Sequence, residues 1–337
     1  MRELAKHIIA AQDAGLDLVL VTVVESMGST PRHVGSQMLV SSAGLVCGSI
    51  GGGAIEAHAI DAARAMVGKA LCSMESMGLQ KSLGMVCGGG ASLLYTSVRA
   101  GDARWREVAA ALLRCLDDRT QACLVLSCRR GEASFDGGVS LVDAADGLLA
   151  GECMPSGAIS AESLSGLRHG RIEDDCFALP VAIPMRAVIF GGGHVGRATA
   201  AALARVGFAC TLFDCRPEFA HTEGLPETCK AVLGDYQDIS ASVTLDKRDY
   251  VLIMTHSHAS DFAVLEQALR RPLSYVGLMG SRRKIALARE LMQKAGISPE
   301  ALDAVHMPIG LDIQAETPEE IAVSVAAECI LHRATHA

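Results

Sequence analysis

Aromatic side chains and net charge are both scarce in this chain. Phe, Tyr and Trp make up 4% of its 337 residues, so its cores must be built from small aliphatic side chains, with backbone approached closely at several of its 34 glycines. A formal net charge of −8 supplies no blanket basic field, which excludes nucleic acid as the expected partner. No apolar stretch reaches the length needed to span a bilayer. The opening "MRELAKHIIAAQDAGLDLVLVTVVES" has no uninterrupted apolar core of a secretory signal, so a cytoplasmic protein with no membrane partner is expected. Among 12 cysteines there is no C-x-x-C pair and no Cys/His quartet at zinc-finger spacing. Several sit inside apolar runs such as "QACLVLSC", where reduced, buried, small hydrophobes are expected.

Length alone points to two domains. Leu4, Ile8 and Ala11 recur at helical spacing over residues 3–14, and "DLVLVTVV" reads as a buried strand. "QMLVSSAGLVCGSI" reads as two short strands around a Ser-Ser-Ala-Gly turn, followed by three glycines and a helix from Ala54 to Met66. "GMVCGGGASLLYTSV" repeats strand, glycines and strand, and "WREVAAALLRCLDD" is a helix. This irregular mixture is α+β. From about Gly131 to Pro184 the signals weaken, and the end of that stretch, from about residue 150, reads as a linker. The boundaries are therefore residues 1–180 and 185–337.

Beyond the linker the rhythm changes to strand 187–190, helix 194–206, strand 209–214, strand 249–255, helix 260–270, strand 274–279 and helix 281–295. Such alternation implies crossover connections and a parallel, Rossmann-like sheet, making the chain as a whole α/β. A final helix is marked by Thr317 as cap, Pro318 at its first position and Glu320 completing a capping box.

In "AVIFGGGHVGRATAAAL", Gly191, Gly193 and Gly196 satisfy G-x-G-x-x-G between a strand and a helix. The first glycine permits the turn, the second admits a pyrophosphate, and the third lets helix pack on strand. Asp214, ending the next strand, is placed to bond a ribose hydroxyl. A tight βα turn without ligand is the bland alternative. Hydride transfer also needs a proton donor or base beside the substrate. None of the tyrosines, at positions 95, 236, 250 and 275, is followed four residues on by lysine. An NAD(P)-dependent oxidoreductase is thereby weakened but stays as the alternative.

After the next strand comes "HSHASD", with His256, His258 and Asp261. Its spacing departs from the H-x-H-x-D-H zinc pattern, so loop histidines bordering a ligand crevice are preferred to a metal site, and no residue is assigned as a metal ligand. In "GLMGSRRKIA", Ser281 can cap a helix whose Arg282, Arg283 and Lys284 add charge to free amides, either a phosphate site or a solvated basic turn. "VHMPIGLDI" lacks either periodicity and reads as a structured loop. In the first half, Gly51, Gly52 and Gly53, beside Arg32 and Glu56, form either an anion nest or a merely steric turn. Cys87 in "VCGGG" is flanked by a glycine loop; its thiolate either meets a ligand, as a soft-metal contact or sulfur carrier, or is one more buried cysteine.

Taken together, "GSTPRHVGSQMLV", "GSIGGGAIE", "VCGG", "VIFGGGHVG", "THSHASD", "GLMGSRRK" and "HMPIGLDIQAETPEEIAVSVAAE" resemble the XdhC/CoxI family, the xanthine dehydrogenase accessory proteins. The resemblance covers roughly residues 8–95 and 186–332, in family order. It implies an N-terminal XdhC/CoxI domain joined to a C-terminal Rossmann domain. It further implies a chaperone that binds molybdenum cofactor (molybdopterin or its dinucleotide form), supports exchange of an oxo for a sulfido ligand, and hands the product to an apo molybdenum hydroxylase of the xanthine dehydrogenase type. A cysteine desulfurase and a homodimer belong to the same implied picture. On this resemblance Gly191, Gly193, His194, Gly196, Asp214, His256, Arg282 and Arg283 hold or border the phosphate and nucleotide portions. Arg32, Gly51, Gly52, Gly53, Glu56 and Cys87 would face the other side of an interdomain cleft. The chain departs from the family pattern at Gln314, where glycine is expected, and in "CGGGASLLY", which lacks the usual β-branched strand.

Overall fold

A computed structural model describes residues 1–27, 33–78, 90–128, 137–143, 147–152, 167, 169–173 and 175–336. The chain forms two compact units, Met1–Ile183 and Pro184–Ala337.

The first unit holds two antiparallel sheets. One is built from β1 (Leu18–Met27), β2 (Gln37–Ser41), β3 (Gly44–Gly48), β4 (Ser73–Gly78) and β5 (Gly90–Val98), in the order β3-β2-β1-β5-β4. The apolar run of β1 is continuous because both faces of this sheet are covered. Val19, Val21 and Val23 pack with Ile55, Ala59 and Ala63 of helix Gly53–Met66. Leu18 and Leu20 point the other way, to helices Arg2–Asp13 and Ala103–Asp118.

The second sheet comprises β6 (Cys123–Ser127), β7 (Val139–Asp143), β8 (Gly147–Gly151), β9 (Arg171–Glu173) and β10 (Cys176–Pro180), in the order β8-β7-β6-β10-β9. It contributes Leu124, Leu126, Leu141 and Phe177 to the same apolar cluster as the two helices. The end of the expected linker is therefore paired chain. Strands of three and five residues are too short for alternation to show in sequence, and β10 reaches buried status on four of its five positions only through its neighbours. The first strand expected in "GMVCGGG" falls outside the described residues; "SMESMG", whose pattern signals nothing, is the strand that pairs with β5.

The second unit is a five-stranded parallel sheet of β11 (Arg186–Phe190), β12 (Ala209–Asp214), β13 (Cys229–Leu233), β14 (Tyr250–Ile253) and β15 (Tyr275–Leu278), ordered β13-β12-β11-β14-β15. The expected helices lie at His194–Arg205, His258–Leu269 and Arg282–Lys294. Val188, Phe190, Val251 and Ile253 face the second and third of these, while Ala187, Ile189 and Leu252 face the first together with Pro318–Thr335. The capping box of Thr317 and Glu320 is present as expected. Strand order reverses between β11 and β14, so the crevice for a ligand opens at their carboxyl ends.

Gln314, the departure from the expected glycine, has φ +57°. The loop keeps its left-handed bend, and the side chain bears the strain that glycine would avoid. Gln314→Gly should therefore raise the stability of this unit by about 1 kcal/mol, a gain of about 2–4 °C in melting temperature by calorimetry, and a loss would mean the bend is not strained.

Candidate functional site

The turn after β11 is packed to the limit. A Cβ on Gly191 would lie 2.2 Å from the Met254 carbonyl oxygen, one on Gly192 2.3 Å from that of Phe219, and one on Gly196 1.8 Å from that of Gly191. Those three positions are closed by the protein's own backbone. Gly193 differs: its φ of −69° suits any residue, and a Cβ there meets nothing within 4 Å. Neither strain nor packing demands glycine at 193, and its open side lies at the start of helix His194–Arg205. That helix has no side-chain cap, so the orphan amides of its first turn face the crevice. His194 is exposed at the same end.

Asp214 is fully buried and does not reach outward toward a ribose. One oxygen, Oδ2, accepts from the Gly192 amide at 2.7 Å and from Arg216 Nη2 at 3.0 Å. The other, Oδ1, accepts from the Arg216 amide and Nε, each at 3.0 Å. Burial works to raise its pKa, but the hydrogen bonds from Arg216 and the two amides outweigh it and hold the carboxyl below the usual range. The group thus braces the turn from behind. Arg216, which sequence reasoning passed over, is the partly exposed end of this segment, its guanidinium 3.9 Å from the centre of the Phe219 ring.

His256 is exposed on the loop after β14, and His258 is exposed at the first position of the helix that follows. Asp261 is not available to join them: Oδ1 accepts from the Thr255 amide at 2.9 Å and its hydroxyl at 2.8 Å, and Oδ2 pairs with Lys284. Lys284 also donates to the Met279 carbonyl at 2.6 Å. The side chains of this pair are 1% and 8% exposed, so Lys284 leaves the expected basic cluster and ties the loop after β14 to the loop after β15. Ser281 caps its helix through the Lys284 amide, as Ser257 caps the preceding helix through that of Ser260. Arg282 and Arg283 stay exposed, and like cations at a helix N-terminus are unfavourable without a nearby anion.

In the first unit, Gly51, Gly52 and Gly53 have φ of +127°, +76° and +66°, so this turn does require glycine. Its anion is intramolecular. Glu56 Oε2 accepts from Ser49 Oγ at 2.7 Å, the Ile50 amide at 2.9 Å and the Gly52 amide at 3.0 Å. Burial tends to raise the pKa of Glu56, but the Ser49 hydroxyl and the loop amides together bring it below the ordinary value. Arg32 and Cys87 lie outside the described residues.

Residues 187–329 match the model of the XdhC Rossmann domain, and residues 11–75 that of the XdhC and CoxI family. The chain belongs to this family. It is 25% identical to the Escherichia coli molybdenum cofactor insertion chaperone PaoD over 97% of its own length and 87% of that protein. It is 27% identical to the uncharacterised E. coli protein YqeB across 95% of its length, spanning 44% of YqeB. A probable xanthine dehydrogenase subunit of Bacillus subtilis is 29% identical over 44% of this chain and 43% of that protein. A crystal structure described as a xanthine dehydrogenase from Bacillus halodurans superposes with a TM-score of 0.80 at 23% identity, covering 100% of this chain and 96% of that one, which establishes a shared fold.

The XdhC Rossmann region contains the whole glycine turn and both capped loops, and the XdhC and CoxI region contains the Glu56 loop. In the Rossmann region, Lys284→Met should cost about 3–5 kcal/mol in denaturant unfolding, since it strands Asp261 without its cation. Adding Asp261→Asn should recover part of that loss, with a coupling of about 1–3 kcal/mol; additive losses would show the pair to be uncoupled. In the XdhC and CoxI region, a carboxyl with lowered pKa contributes stability above its unfolded value, 4.5, and loses it as pH falls through the lower folded value. Protection factors of the Ile50 and Gly52 amides, taken against intrinsic exchange at the same pH, should therefore fall on acidification, and in Glu56→Gln they should be lower already at neutral pH. Unchanged protection in Glu56→Gln would mean that the charge does not hold the loop.

Proposed function

We propose that this chain is an accessory protein that binds molybdenum cofactor and delivers it to an apo molybdenum hydroxylase of the xanthine dehydrogenase type. The observation that carries the reading is Gly193: an uncapped helix end whose one open glycine leaves room for a phosphate. The cargo fits that space by its chemistry, because a molybdopterin ends in a phosphate, or in a pyrophosphate and nucleoside in the dinucleotide form. The relative named a molybdenum cofactor insertion chaperone supports the same reading over almost the full chain.

Each group then has a physical task. The free amides after Gly193 take the phosphate oxygens, and the helix dipole adds to the attraction. Arg282 and Arg283 supply mobile positive charge from the loop after β15, and His194 and His256 border the ligand. Asp214 and Asp261 touch no cargo: they hold the turn and the neighbouring loop in position. Exchange of an oxo for a sulfido ligand before transfer, with a cysteine desulfurase as sulfur source, completes the proposed role. None of these tasks requires a proton donor, in keeping with the absence of the Tyr-x-x-x-Lys pair.

The test uses full-length protein loaded with molybdenum cofactor under anaerobic conditions, then desalted and assayed for molybdenum and oxidisable pterin. Roughly one equivalent of each should be retained and should activate an apo hydroxylase. Gly193→Ala should change stability by less than about 1 kcal/mol, because its methyl enters open space, yet reduce retention by about tenfold or more, because that space is the ligand's. Loss of both molybdenum and pterin from the wild-type protein would overturn the reading. So would nicotinamide turnover in a parallel titration with NAD(P)H, which would restore the oxidoreductase alternative.

A further inference from the structure

The carboxyl edge of the parallel sheet carries a thiol, that of Cys215, to which phosphate binding gives no task. Of the ten described cysteines, eight are buried and one is half-buried; Cys215 is exposed. It directly follows Asp214 at the end of β12, and His256 follows β14. Since β11 lies between those strands, the two loops meet across the glycine turn. There the Cys215 sulfur, one carboxylate oxygen of Asp214 and one ring nitrogen of His256 all lie within 4.8 Å of one another.

We propose that Asp214, Cys215 and His256 form a binding site for a thiophilic divalent cation of the zinc type, in which the ion takes the place that Arg216 holds in the free protein. Thiolate, imidazole and carboxylate are the donors such ions select, and three protein donors leave a fourth, tetrahedral position open toward the crevice. The acceptor positions of Asp214 are filled by four donors, two of which belong to the side chain of Arg216. That guanidinium is a cation already standing against the carboxylate, so a metal ion replaces it while the Gly192 and Arg216 amides remain bound. The released guanidinium has a place to stay over the Phe219 ring. Binding deprotonates the Cys215 thiol, and its proton passes to solvent. His258, at the start of the helix that follows, is not part of the group. Sequence spacing hides the site because its donors come from two crossover units.

The inference is independent of the cofactor reading, because metal binding is measured on protein that carries no molybdenum cofactor. Reduced full-length protein is titrated anaerobically with cobalt(II), a spectroscopic stand-in for zinc. One equivalent should produce a sulfur-to-cobalt charge-transfer band in the near ultraviolet together with tetrahedral visible bands, and zinc should displace it. Cys215→Ser should abolish the charge-transfer band, whereas Cys47→Ser, on the half-buried thiol of the other unit, should preserve it. His256→Ala should weaken binding by about tenfold or more. Arg216→Met, which keeps an apolar stem over Phe219 but removes the competing cation, should tighten it. No sulfur band in the wild type, a band that survives Cys215→Ser, or unchanged affinity in Arg216→Met would each overturn the proposal. Cobalt binding without cofactor retention would leave it standing and remove only the carrier reading.

Discussion

The hydrogen bond from the Gly192 amide to the buried Asp214 carboxylate is the constraint on which the ligand edge of the second unit depends. It joins the turn after β11 to the end of β12 and turns one amide of the glycine loop inward. The chain can then close so tightly that Gly191, Gly192 and Gly196 have no room for a side chain. A buried carboxylate is costly unless it is paired and fully hydrogen-bonded. Here two amides and one guanidinium meet that requirement, and the turn is fixed by the same contacts that make the charge tolerable.

The device recurs. Asp261 holds the loop after β14 through the Thr255 amide and hydroxyl, with Lys284 as its cation. Glu56 holds the Gly51–Gly53 turn of the first unit through two amides and a serine hydroxyl. In each case an anion of the protein sits where a glycine-rich or polar loop would otherwise attract one from solution. The consequence differs with the helix that follows. Serine caps close the helices beginning at His258 and Arg282, and Glu56 occupies the amides ahead of its own helix. At His194 the carboxylate likewise takes an amide ahead of the helix, that of Gly192, and neither this helix nor the one beginning at Gly53 has a side-chain cap. Of the two uncapped ends, the one at His194 follows a glycine whose φ suits any residue, whereas the one at Gly53 follows the left-handed Gly52.

The parallel unit was legible in sequence because its strands are buried runs and its helices announce themselves with caps and glycine. Thr317, Pro318 and Glu320 mark a helix start that no packing information was needed to locate. The second antiparallel sheet was not legible: β8 and β9 are short and partly exposed, and they acquire definition only from their partners. At the candidate site, sequence assigns residues to loops but does not orient them. Asp214, Asp261 and Lys284 all sit at positions where a functional side chain would face outward, and all three turn inward. Local partners, Arg216 for Asp214 and Thr255 for Asp261, combine there with contacts from neighbouring crossovers, Gly192 and Lys284, and the latter are not encoded by adjacency in sequence. Cys215 was missed for the complementary reason, since nothing in "FDCRPEF" signals that a histidine 41 positions after the cysteine (256 − 215) lies near it, and Arg216 was missed because its sequence does not show that it closes on Asp214.

What separates a carrier from an oxidoreductase on this fold is how the groups around the turn meet water. Hydride transfer calls for a reacting centre screened from solvent and a donor held against it. Within the Rossmann unit His194, Cys215, His256, Arg282 and Arg283 are all exposed, while the buried charged residues of its loops are consumed in bracing backbone. The exposed side chains are therefore of the kind that can attract and grip an anion, and the side chains with fixed geometry hold the scaffold. A grip made of amides, guanidinium groups and imidazoles at a surface can be competed away by a partner presenting its own anion site, whereas an enclosed pocket cannot. That is the property a protein needs if its ligand is to be passed on rather than transformed.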